Sequence, residues 1–224
     1  MKYYLFTALL LSGIILHSCK KDEVIIPKDL SSSYMPLNVG TSWIYQMDSG
    51  YYAGTGVPVD SFNYHLRHEI VEIIDSSAES ISARVEISSR KDTGFHWEFV
   101  RAYQITRDEN KIVRTDFNIK EIVLSLPLHN NKVWDGNTLN ILEATNFIVQ
   151  DLHIPKSVGD LSFDSTVLVI QDGQLNAVNN FQAEELYAQH VGMVYKHKQM
   201  LSNLSNPNNM TGYQYTMTLL EFKP

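Results

Sequence analysis

Ser80-Ile81-Ser82-Ala83-Arg84-Val85-Glu86-Ile87-Ser88 carries the reading on which the fold class turns. Apolar residues fall at every second position, with Ser, Arg and Glu between them. A β-strand sends successive side chains to opposite faces, so this period buries one face and wets the other, as antiparallel sheets do. The period recurs outward from this stretch. Trp97, Phe99, Tyr103 and Ile105 are in step, with Arg101 the polar exception. Ile122, Leu124, Leu126 and Leu128 form another series, and Val191, Met193 and Tyr195 a further one. Tyr213, Tyr215, Met217 and Leu219 close the chain. Between the runs lie Asp92-Thr93-Gly94, Asp108-Glu109-Asn110, Asp172-Gly173 and the Asn-rich stretch Ser202 to Gly212. Asn, Asp and Gly tolerate the left-handed backbone that hairpins need, so strands adjacent in sequence are expected to pair. Two segments depart from the pattern. Ala183, Leu186, Tyr187, His190 and Val191 fall at helical spacing behind Glu184 and Glu185, which predicts one short helix. Ile141, Ala144, Thr145, Ile148 and Val149 fit the same spacing, but their β-branched content predicts a strand.

Composition narrows the function classes. The 224-residue chain carries a formal charge of −7, which leaves no basic face for nucleic acid. Apolar residues make up 44%, enough for a sizeable core. A single cysteine, Cys19, excludes an internal disulfide framework and a multi-cysteine metal site.

That cysteine follows a leader-like segment. Lys2 precedes an apolar run from Leu5 to Leu16, too short for a membrane span of roughly 20 residues but suited to a secretory core of about 7–15. Leu16-His17-Ser18-Cys19 resembles a bacterial lipobox, with Leu, a small residue and the acceptor Cys at the required places. The resemblance implies a signal peptide over 1–18, cleavage before Cys19 and acylation there, palmitate included, which makes the membrane the first partner. Removal of Lys2 leaves the mature chain one charge more acidic. Asp22-Glu23 behind the Cys resembles the surface-export signal of certain Gram-negative lipoproteins, implying the outer membrane with the protein facing outward; a periplasmic-facing tether is the alternative. Residues 19–33, with Pro27 and Ser31-Ser32-Ser33, read as lipidated Cys plus flexible tether, and 34–224 as one β domain.

Chemical motifs are sparse. Asp92-Thr93-Gly94 spells the aspartic-protease triplet, but Arg90-Lys91 precede it where that chemistry needs an apolar strand, and no second triplet follows. His65 and His68 are three apart, which on a strand places them on opposite faces, and His197 sits between Lys196 and Lys198; no metal site follows. Gly40-Thr41-Ser42-Trp43-Ile44 lacks the closing Gly of a nucleophile elbow. Catalytic residues, metal and cofactor are accordingly all expected to be none, with a hydrolase the less favoured reading. Asp164-Ser165-Thr166 resembles a short O-glycosylation site of some Gram-negative envelope proteins. Tyr51 and Tyr52 lie among Gly and Ser on an expected exposed loop, suited to a protein or glycan partner. Trp43, Trp97 and Trp134 either line a concave sheet face or fill the core. Met35-Pro36-Leu37 to Trp43 is echoed by Leu126-Pro127-Leu128 to Trp134, which either a duplicated half-domain or two similar strand starts would explain.

Tyr34-Met35-Pro36-Leu37-Asn38-Val39-Gly40-Thr41-Ser42-Trp43-Ile44-Tyr45 resembles the Y-x-P-L-x-x-G-x-x-W-x-Y start of uncharacterised Gram-negative envelope lipoproteins. Tyr187 to Lys196 is similar to their late Y-A-x-x-V-G-x-V segment. The resemblance implies a single curved antiparallel sheet, like the half-barrels that carry lipoproteins or lipids between membranes, and brings no catalytic residues. The expectation is a lipid-anchored, non-catalytic binding module for an apolar or lipid ligand. The alternative is a surface protein that contacts a protein or glycan.

Overall fold

The structure, a computed structural model, describes residues 31–171, 173 and 178–224. The leader, Cys19 and the tether up to residue 30 lie outside the described residues. Alternating sequence becomes twelve strands: β1 (Ser42–Ala53), β2 (Asp60–Ser76), β3 (Ser80–Arg90), β4 (Glu98–Asp108), β5 (Lys111–Asp116), β6 (Ile119–Ser125), β7 (Val133–Asp135), β8 (Asn146–Val158), β9 (Leu161–Gln171), β10 (Asn179–Ala188), β11 (Gly192–Ser202) and β12 (Thr211–Lys223). They form one antiparallel sheet in the order β6-β5-β4-β3-β2-β1-β12-β11-β10-β9-β8-β7. Every neighbour is a sequence neighbour except at β1 and β12, where first and last strands pair. The sheet curls until its ends meet. Ile122 N–H donates to Gly136 O at 2.9 Å, and the Trp134 indole N–H donates to Ile122 O at 2.7 Å. The expected curved sheet is thus present and curls further than a half-barrel.

The inward face is apolar through Ala83, Val85 and Ile87, and the outward face carries charge. Arg84 pairs with Glu72 across the hairpin and with Glu86 along its own strand. A charged outer wall belongs in water rather than in lipid. Among the described residues no helix is long and apolar enough to cross a membrane.

Four expectations are corrected. The helix expected at 183–191 is strand β10 and the turn after it. Its helical spacing is coincidental, because Glu185 is buried in phase with Ala183 and Tyr187, on the inner side of a strand. Helical residues among those described are instead Ser31-Ser32 at the entry to the domain and the short 3-10 segment Pro207–Asn209. The strand expected at 141–149 begins only at Asn146, and Ile141 is fully exposed in the preceding loop. On β4 a bulge opposite Ile87 and Ser88 takes up Val100 and turns Phe99 out to solvent, while Arg101 keeps the inward phase of Tyr103 and Ile105. The tether expected up to Ser33 ends sooner. Ser31 is buried and accepts the Leu128 N–H at 3.2 Å, while His190 N–H donates to Ser33 O at 2.7 Å.

From there Tyr34, Met35 and Leu37 enter the core and stop one end of the barrel. Tyr34 OH sits 2.9 Å from both His153 Nδ1 and Ser165 Oγ. Next to Ser165, Thr166 is buried and donates to Ile154 O at 2.6 Å, so its hydroxyl is closed to glycosylation in the folded chain.

The Pro-Leu-to-Trp echo extends into the backbone. Gly40 N–H donates to Ile70 O, and Ile70 N–H to Thr41 O; four residues after the second Pro, Asn131 N–H donates to Val149 O, and Val149 N–H to Lys132 O. Gly40 and Asn131 both have positive φ. The hairpins that follow share their irregularities. Ile70, Glu72, Ile73 and Asp75 face Val85, Arg84, Ala83 and Ser82 across two bulges. Val149, Asp151, Leu152 and Ile154 face Val169, Leu168, Val167 and Thr166 across two bulges in the same register. Bulges are specific features, so their repetition makes β1–β6 and β7–β12 two copies of one six-stranded plan.

Candidate functional site

Twelve strands enclose more space than their side chains fill. A cavity of about 520 Å³ remains inside the barrel, within the range of ligand pockets. Its closed end is made by Met35, Trp43, Ile105, Val123 and Met193. Its mouth carries Val100, Phe117, Ile119 and Leu142, all exposed apolar side chains; Phe117, 78% exposed, occupies the β5–β6 turn.

At mid-height the wall is polar. Glu185 on β10, 2% exposed, accepts from Arg114 Nη2 at 2.8 Å, from Lys196 Nζ at 2.6 Å and from the Tyr187 hydroxyl. Arg114 also pairs with Glu121 on the neighbouring strand. Burial by itself would raise the Glu185 pKa. Arg114 first, then Lys196, more than reverse this and hold the carboxyl far below the usual carboxylate range. The cluster is therefore charged and internally balanced. Breaking one partner out of such a cluster costs about 3–5 kcal/mol, because a charge is left buried alone. Burial likewise raises the Tyr187 and Tyr45 phenols well above their ordinary value, so they serve as neutral donors. Tyr45 donates to Met193 O at 2.8 Å.

His68 lies beside this cluster. Its ring makes edge contacts with Tyr45 and Tyr103, and Nδ1 is 3.2 Å from Tyr103 OH. Its buried Nε2 has no hydrogen-bond partner among the described residues. Burial, followed by the charges of Arg101, Arg114 and Lys196, lowers its pKa to about 3, so the imidazole is neutral. Arg101 Nη1 donates to both carboxylate oxygens of Asp116, and the guanidinium lies over the Phe117 ring. Among the described residues no group of three His, Cys, Asp or Glu is placed to hold a metal ion.

The residues singled out from sequence are scattered. Trp43 reaches the cavity; its indole N–H donates to Val191 O at 2.6 Å. Trp97 instead packs between the Arg67 and Arg90 guanidinium groups, 5.1 and 4.2 Å from their carbons. Trp134 stacks at a tilt on Phe147 beside the barrel seam. Trp97 and Trp134 do not line the cavity. Tyr51 and Tyr52 are in β1 rather than on a loop, and point to opposite sides. Tyr52 is buried and accepts from Gln214 Nε2 at 3.0 Å, while Tyr51 is exposed beside its cross-strand partner Tyr213. Sequence reasoning missed Arg114, Glu185, Lys196 and Lys198. The available signal was phase, since each is charged yet stands on the inward side of its strand.

No family model matches the chain. No curated protein matches it. Among solved structures it is similar to an inferred lipoprotein from Parabacteroides distasonis ATCC 8503, at 10% identity and a TM-score of 0.46, over 85% of this chain and 98% of that one. It is also similar to an inferred exported protein with a YmcC-like fold from Bacteroides fragilis NCTC 9343, at 10% identity and a TM-score of 0.47, with the same coverage.

Proposed function

We propose that this chain is a lipid-anchored cell-envelope protein whose barrel holds an apolar or lipid ligand without acting on it chemically. The observation that carries the reading is the cavity of about 520 Å³ opening through Val100, Phe117, Ile119 and Leu142. Exposed apolar side chains around a concave opening mark a place where apolar matter is received. The envelope location and the anchor rest on the leader and on Leu16-His17-Ser18-Cys19; outer-membrane residence facing outward rests on Asp22-Glu23. The charged pairs at the centre of the interior are engaged with one another, Glu185 with Arg114 and Lys196 and Arg101 with Asp116, which suits holding better than reacting.

Native mass spectrometry of protein purified from its host tests the reading. A mass excess that disappears on organic extraction is the expected result. A clean mature mass, unchanged by extraction or by incubation with long-chain lipids, would overturn it.

A further inference from the structure

The charges lining the cavity do not cancel. Four cations face it, Arg101, Arg114, Lys196 and Lys198, against Asp116 and Glu121, with Glu185 behind the wall. Arg101 is engaged by Asp116, and Arg114 and Lys196 by Glu185 and Glu121. Lys198 is the lining cation that has no acidic partner among the described residues.

Register places Lys198 in a row of polar groups. Ala183 on β10 pairs with Gln171 on one side and with Lys198 on the other, and Lys198 pairs with Tyr215 on β12. Gln171, Lys198 and Tyr215 all line the cavity. An amide, an ammonium and a phenol thus stand on one cross-strand row, with the small Ala183 between two of them. None of the three side chains has a hydrogen-bond partner among the described residues, so their donors are free for a ligand. From this row an apolar band runs round the wall through Met217, Met47, Leu66, Ile87 and Val100, one residue on each of β12, β1, β2, β3 and β4. At roughly 4.8 Å per strand, the five steps from β11 to β4 cover about 24 Å of wall. The band ends at the exposed mouth residues Phe117 and Ile119.

We infer that the ligand is a single-chain amphiphile with an anionic head, its carboxylate or phosphate seated on Gln171, Lys198 and Tyr215 and its alkyl chain laid along the Met217-to-Val100 band. The inference rests on the carrier reading above and adds the head-group chemistry to it. The balanced cluster around Glu185 offers an anion no free cation. The row at Lys198 does, and a singly charged head brings the cavity close to neutrality.

Displacement of a fluorescent long-chain fatty acid tests both levels. The competitors are palmitate, hexadecyl phosphate, methyl palmitate and acetate, each against wild type and Lys198→Met. Palmitate or hexadecyl phosphate, whichever is the natural head type, is expected to displace at least 10-fold more strongly than methyl palmitate, and acetate not at all. Lys198→Met is expected to remove that preference while leaving methyl palmitate unchanged. Equal binding of acid, phosphate and ester by the wild type would overturn the head-group seat and leave the carrier reading standing. So would a loss of acid and ester in equal measure in Lys198→Met. Displacement by acetate alone would mark an anion site without a chain site and overturn the inference. Failure of every long-chain compound to bind would overturn the carrier reading itself.

Discussion

His68 shows how a residue is set by what surrounds it. Buried against Tyr45 and Tyr103 and near three cations, its folded-state pKa falls to about 3 from an ordinary 6.5. The unfolded chain binds a proton below pH 6.5 that the folded chain refuses until about pH 3. Stability from this group is therefore full above pH 6.5 and falls as pH drops through that window, by up to ~1.4 kcal/mol per pH unit. Replacing His68 with Gln keeps a polar group beside Tyr103 and removes the titration. Urea midpoints measured from pH 7 to pH 4 are expected to fall less steeply in the variant; parallel slopes would show that His68 is not held neutral. Nothing in Tyr64-His65-Leu66-Arg67-His68-Glu69 announces this. Strand parity, which puts His65 and His68 on opposite faces, was legible. The cations come from β4, β5 and β11, distant in sequence, and their meeting is a property of the closed barrel.

At the scale of elements, strands and hairpins were readable from period and turn chemistry, and the exceptions were local shifts of phase. Phe99 reads as inward from its spacing, yet the bulge at Val100 sends it outward. A bulge adds one residue and reverses every later position, and periodicity holds no warning of it. The 183–191 segment misled for a different reason. An acidic pair at the head of apolar residues is a helix signal in water, whereas Glu185 is satisfied by Lys196 on the neighbouring strand and by Arg114 from across the barrel. The turn leading into β11 bears a sharper constraint. Gly192 has φ +100, and a Cβ there would lie 3.3 Å from the Trp43 indole nitrogen. Gly159, at φ +55, lies within the left-handed well and is less crowded, the nearest atom being 3.7 Å away. Gly192→Ala is expected to lose about 1–3 kcal/mol in urea unfolding and Gly159→Ala less. The reverse order would contradict the packing of Trp43 on this turn.

For the whole molecule, the two-copy plan has no constant period in the sequence, because the spacing between equivalents changes along the chain. Gly40 to Asn131 is a longer step than Ile70 to Val149, since the connections within the halves differ in length. The Pro-Leu-to-Trp segments keep their spacing, and that echo is the part of the plan the sequence displays. The leader and Leu16-His17-Ser18-Cys19 bear on where the whole domain resides. Cys19→Ser removes the thiol that the lipobox resemblance says is acylated. The variant is expected in the soluble fraction after membrane pelleting; continued retention after a high-salt wash would refute anchoring through this residue.

The pseudo-twofold layout also fixes where the cylinder is least stitched. The seam between β6 and β7 rests on the Ile122–Gly136 bond, the Trp134 indole and the Asn140 amide on Lys120 O, fewer ties than any full hairpin supplies. Ile119 and Phe117 stand at the start of β6 and in the turn before it. Parting this joint widens the opening sideways, like a zip running down from a collar. On the carrier reading proposed above, that flank is where a long tail would slip in, instead of being threaded tip first past the rim.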